Sequence, residues 1–168
     1  KNSAVSYDIV IPSDYMIEKL INENMLLSFD TSELSNYGNI SEEFKNTYYE
    51  RNNEFSVPYT YGMVGIIYNK EMVDPDDVAD KSWGLLWNPK YSGNILQFNN
   101  PRDAFATAMY WKGLDINSTD PDVWESAFHL LEEQKPILQG YVNDEIFNKM
   151  QSESAAIAPY FVGDFLTM

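Results

Sequence analysis

The 168-residue chain holds 26 Asp+Glu against 11 Lys+Arg, a net charge of −15 that excludes phosphate backbones and anionic membrane surfaces as partners and leaves cationic or neutral ones. With no Cys and one histidine, His129, thiol catalysis, disulfides and Cys-based or multi-histidine metal sites fall away. A hydrophobic content of 44% with 22% charged residues is that of a globular chain, and the aromatic share of 15% exceeds what core filling asks for.

Tyr7-Asp8-Ile9-Val10-Ile11, ended by Pro12, reads as a buried strand. Ser13 reads as the N-cap of a helix whose apolar positions Met16, Ile17, Leu20 and Ile21 fall at helical spacing. Residues 30–53 are polar with scattered aromatics and predict short helices and loops. Residues 55–69 predict a long extended segment, interrupted by Pro58, Gly62 and Gly65. A short helix is expected from Ser82 to Asn88, halted by Pro89, and a short strand from Gly93 to Phe98. Helices follow after Asn100, after Asp120 and over residues 143–150, and a last strand at residues 154–158 ends at Pro159-Tyr160. Strands alternating with helices predict an α/β fold with a mostly parallel sheet flanked by helices.

In open α/β sheets ligands bind beyond the C-terminal ends of strands, near helix starts. Three such ends carry distinctive side chains: Ser13, Asp14 and Tyr15; Asn100, Arg102 and Asp103; and Tyr160. Asn100-Pro101-Arg102-Asp103 is also a plain capping arrangement, with Asn at N-cap, Pro at N1 and an acid at N3. Read functionally, Asp103 offers a carboxylate to a cation, against the partial positive charge of a helix N-terminus. Tyr15 and Tyr160 are candidates to box an alkylammonium chain, each such contact being worth about 0.5–2 kcal/mol. His129, among Phe128, Leu130 and Leu131, reads as a helix-surface histidine, and Trp83, Trp87, Trp111 and Trp124 read as core. No Gly-rich phosphate loop, nucleophile elbow or metal-ligand spacing occurs, so no cofactor or metal is implied.

The ordered motifs are similar to those of a known family. Tyr7-Asp8-Ile9-Val10-Ile11-Pro12-Ser13-Asp14-Tyr15 resembles a strand-to-helix turn of the spermidine/putrescine-binding proteins of ABC transporters. Residues 57–69 resemble their inter-lobe crossing strand, Ser82-Trp83-Gly84-Leu85-Leu86-Trp87 with Pro89 to Gly93 a following segment, and Asn100 to Phe105 a ligand-side turn. The resemblance implies periplasmic-binding-protein-like lobes that close on a linear polyamine and deliver it to permease subunits, without catalysis. It implies a periplasmic or extracellular location, membrane-associated through the parent protein or its permease. By motif, the ligand residues implied are Ser13, Tyr15, Asn100, Asp103 and Tyr160, with Tyr160 standing where the family usually has Trp. Asn100 departs from the family's Asp, and Asp103 is shorter than its common Glu. The family is about twice this length, so residues 1–57 are expected to form part of a first lobe and residues 58–168 most of a second. The chain is then expected to be a fragment that binds ligand weakly by itself and whose open sheet edges invite dimerisation or strand exchange. Two alternatives stand: a solute-binding protein for an anion, sugar or metal complex, and a carbohydrate-active enzyme.

Overall fold

The computed structural model of the chain describes residues 7–168. The chain divides into two compact units with the boundary between Tyr61 and Gly62.

In the first unit, helix α1 (Asp14–Asn22) turns Met16, Ile17 and Leu20 to its half-buried side. Short 3-10 turns follow at Thr31–Glu33, Tyr37–Asn39 and Glu42–Phe44, the first opened by the Asp30 carboxylate accepting from the Ser32 N–H at 2.8 Å. The buried Glu50 carboxylate ties down the chain that leaves this unit, accepting from the Phe55 N–H, the Ser56 N–H and the Ser56 hydroxyl. Phe44 then packs on Tyr61 with ring centroids 4.4 Å apart. The strand expected at residues 7–11 does not form. No other described segment pairs with it, and an apolar run becomes a strand only where a neighbour takes its backbone hydrogen bonds. Ile9 is accordingly 83% exposed.

The second unit is built on a four-stranded sheet in the order β1-β4-β2-β3: β1 (Val64–Tyr68), β2 (Ile95–Phe98), β3 (Leu138–Val142) and β4 (Ile157–Phe161). β2 runs parallel to both β3 and β4, and β1 alone is antiparallel, against β4. The sheet is therefore mostly parallel, as expected. Helices α2 (Pro101–Lys112), α3 (Pro121–Gln134), α4 (Glu145–Gln151) and α5 (Val162–Phe165) accompany it. α2 starts on an Asn100 cap and a Pro at its first turn, and it stops at Gly113, whose φ of 66° continues no helix.

One sheet face packs Leu96, Phe98, Ala158 and Tyr160 against Ile146 and Met150 of α4. The other packs Ile95 and Ile157 against Leu85, Leu86 and Tyr91, which belong to short 3-10 helices at Trp83–Trp87 and Pro89–Tyr91. A third cluster joins α2 to α3 through Ala108, Met109, Ala127 and Leu131, with Trp87 and Trp124 half-buried at its margin. Each fully buried aliphatic side chain contributes about 1.5–3 kcal/mol.

Three sequence expectations change here. Only Val64–Tyr68 of the long extended segment is strand, because β4 offers partners for those five residues alone. β3 was not expected at all. And the last strand runs through Pro159 to Phe161 rather than ending there; the ladder to β2 involves only Ile157, so that side asks no N–H of Pro159.

Candidate ligand site

β2, β3 and β4 run parallel, so Phe98, Val142 and Phe161 end at one edge of the sheet, and α2, α4 and α5 begin there. Local bonds lace this edge together. The Asn99 N–H is shared between the Val142 carbonyl at 3.0 Å and the Asn143 side-chain oxygen at 3.1 Å, joining the ends of β2 and β3. The rings of Phe98 and Phe161 lie 5.4 Å apart, joining the ends of β2 and β4.

Asn100 and Asp103 are brought together at the start of α2. Asn100 Oδ1 accepts from the Arg102 N–H at 3.0 Å, and Asn100 Nδ2 donates to Asp103 Oδ2 at 2.9 Å. The cap bond and the Asn100–Asp103 contact thus form one arrangement at the helix start. Tyr160 lies inside β4 rather than beyond its end, paired with Gly65, and its ring is 5% exposed within the core. Burial, the nearby Asp164 carboxylate and the negative charge of Asp144 together push its hydroxyl pKa up. The ring that reaches solvent at the end of β4 is Phe161, 40% exposed.

Ser13 and Tyr15 belong to the first unit. Ser13 holds the N-cap position of α1 through its backbone carbonyl, which accepts from the Met16 and Ile17 N–H groups, but its hydroxyl makes no cap bond. Asp14 takes the Tyr15 N–H instead, at 2.8 Å, and Tyr15 is half-buried.

Sequence reasoning missed Asp144, Asp164 and Phe161. The helix over residues 143–150 was expected, but the strand that precedes it was not, so nothing marked Asp144 as standing at a strand's end. Alternation along β4 was the available signal for the other two: a strand continued past Pro159 puts Phe161 on the face opposite Tyr160, with Asp164 a turn later. The assembled edge therefore carries Asp103, Asp144 and Asp164 near exposed and buried aromatic rings. Among the described residues, no three His, Asp or Glu side chains converge on a point that would hold a metal ion. His129 lies exposed on α3, 3.0 Å from Glu132 and 3.9 Å from Glu125, as a surface histidine. Among the described residues, no helix is long and apolar enough to cross a membrane.

Residues 5–167 match the family model of the bacterial extracellular solute-binding proteins. The chain is 34% identical over 143 residues to the spermidine/putrescine-binding periplasmic protein of Escherichia coli, covering 85% of this chain and 40% of that one. The spermidine/putrescine ABC transporter substrate-binding protein PotD of Streptococcus pneumoniae superposes with a TM-score of 0.74 at 35% identity, over 95% of this chain and 49% of that one. A TpPotD lipoprotein of Treponema pallidum shares the fold with a TM-score of 0.86 at 23% identity, over 99% of this chain and 52% of that one. The chain thus spans less than two thirds of the length of these relatives. With nearly every residue inside the family model and the fold shared along the whole chain, the chain belongs to the bacterial extracellular solute-binding proteins.

Proposed function

We propose that the protein carrying this chain is the solute-binding component of an ABC importer and takes linear polyamines such as putrescine or spermidine. The observation that carries the reading is the sheet edge where the helix starts bring Asp103, Asp144 and Asp164, with Phe161 the ring exposed there. A polyamine is a string of ammonium groups on methylenes, so carboxylates and ring faces in alternation are its chemical complement. A helix N-terminus opposes a cation there, but its effective charge is only about half a unit, against a full charge on each carboxylate. Relatives named as spermidine/putrescine-binding and putrescine/cadaverine-binding proteins support the same ligand class. Those relatives are substrate-binding transport proteins, which favours binding without catalysis here.

In this reading residues 1–57 contribute Ser13 and Tyr15 from one lobe, and residues 58–168 contribute Asn100, Asp103 and Tyr160 from the other. The protein works in the periplasm or outside the cell, associated with the membrane through its permease. Among the described residues β1 and β3 are the outer strands of the sheet, and pairing of two copies along them would register in sedimentation across a concentration series as a growing dimer fraction.

Charge reversal tests the assignment. In the full-length protein, Asp103→Lys should abolish the thermal shift given by putrescine and spermidine. If the amines still shift the variant, or if the wild type responds instead to an anion that Arg102 and the α2 N-terminus would favour, the polyamine reading fails.

A further inference from the structure

Behind the edge just described lies a cluster of polar side chains that the binding reading does not use. Gln97, Thr107 and Gln134 are all essentially inaccessible to solvent. Burying three uncharged polar side chains costs free energy unless their hydrogen bonds are met. Here the bonds form a connected set. The Gln97 amide donates to the Thr107 hydroxyl at 3.0 Å and to Gln134 Oε1 at 3.1 Å, while its own oxygen accepts from the Phe98 N–H at 2.8 Å. The Thr107 hydroxyl donates to the Ala104 carbonyl at 2.7 Å, and the Gln134 amide donates to the Leu86 carbonyl at 3.0 Å.

The set touches four elements at defined points. Gln97 is the penultimate residue of β2 and also binds the N–H of the last one, so it grips the backbone where the strand passes into the turn at Asn99 and Asn100. Thr107 is in the second turn of α2, Gln134 closes α3, and Leu86 lies in the 3-10 helix Trp83–Trp87. An apolar core would tolerate sliding of α2 along β2 at small cost, since dispersion contacts are not directional. Hydrogen bonds fix register, because a shift of about one ångström takes each outside its distance and angle limits. Thr107 is one helical turn from Asp103, about 6 Å along the axis, so register set at Thr107 is passed on to the carboxylate through a rigid segment.

Resting on the polyamine reading, we propose that Gln97, Thr107 and Gln134 are positioning residues: they fix α2 against β2 and α3, and thereby fix where Asn100 and Asp103 present their polar atoms to the ligand. None of the three reaches the ligand itself.

The test uses Thr107→Val, which keeps shape and removes the hydroxyl, and Thr107→Ser, which restores it, in the full-length protein. Hydrogen exchange is read first, without ligand. The Arg102 and Ala104 amides, bonded to Asn100, should exchange about tenfold faster in T107V and at the wild-type rate in T107S. Calorimetry with putrescine and spermidine should show affinity about five- to tenfold weaker in T107V, restored in T107S. In an Asp103→Asn background the same T107V change should weaken binding less than twofold, because the group being positioned is gone. Unchanged exchange at Arg102 and Ala104, or equal weakening in both backgrounds, would overturn the proposal. Thr107→Ala, which adds no crowding, is read by the same criteria if T107V fails to melt cooperatively. If the wild type gives no heat with either amine, the polyamine reading falls and the exchange arm alone decides the positioning role.

Discussion

Replacing Asn100 with Asp separates what the start of α2 does for stability from what it does for binding. Asp caps a helix as well as Asn, so the bond to the Arg102 N–H survives, and a carboxylate at this end gains about 0.3–1 kcal/mol from the helix dipole. Against that, the donor that Asn100 gives Asp103 at 2.9 Å is lost, at about 0.5–1.5 kcal/mol. Two carboxylates now face each other where the amide contact stood at 2.9 Å, and once relaxed to about 4 Å like charges repel by about 1 kcal/mol at the dielectric of water and about 4 at the value typical of a protein surface. The net is a destabilisation of about 0.5–5 kcal/mol at pH 7, read as a fall in melting temperature by circular dichroism. The pair cannot both ionise freely, so one carboxyl titrates above the usual range. A raised pKa means that the protonated form is the better folded one, so N100D should regain stability as the pH falls from 7 toward 5. Saturating spermidine should erase the deficit, since a bound ammonium neutralises the pair. A variant as stable as wild type at pH 7, or one that loses stability from pH 7 to 5, would refute the reasoning.

Two further perturbations probe the scaffold. A Cβ at Gly84 would stand 2.5 Å from Nε1 of Trp111, a ring already stacked on Trp87 at 4.7 Å, so Gly84→Ala should cost about 1–3 kcal/mol in guanidinium unfolding, and a neutral result would mean that the α2 contact is slack. Asp77 accepts from Lys90 at 2.8 Å and from the Tyr91 hydroxyl at 2.5 Å, and these two bonds, Lys90 first, hold its carboxyl below the ordinary 3.8. Its stabilisation is therefore present above pH 3.8 and lost as the pH falls through the lowered value, so Asp77→Asn should lower the melting temperature at pH 7 and flatten its acid decline. An acid limb of unchanged steepness would count against that bond.

The parts legible in the sequence are those set by local chemistry. The Asn100-Pro101 start of α2, the Asp120-Pro121 start of α3 and the short helix between Ser82 and Asn88 all form where their residues indicate. What depends on distant partners was not legible. The apolar residues 7–11 look like a buried strand, yet nothing among the described residues pairs with them. Leu138–Val142 hides behind Pro136 and Gly140, and is strand because β2 pairs with it. Pro159 reads as a terminator, although its place in the ladder asks for no N–H toward β2. The site divides the same way. Asn100 and Asp103 lie three residues apart on one cap and so are legible together, while Asp144 and Asp164 needed the parallel strands to bring their helix starts to one edge.

The most direct measurement is a calorimetric titration of the full-length protein with putrescine, spermidine, a simple anion and a sugar, repeated on Asp103→Asn. Saturable heat with an amine, weakened at least tenfold in the variant and absent with the anion and the sugar, is the result predicted for a carboxylate site. Clear heat with the anion or the sugar and none with either amine would contradict it.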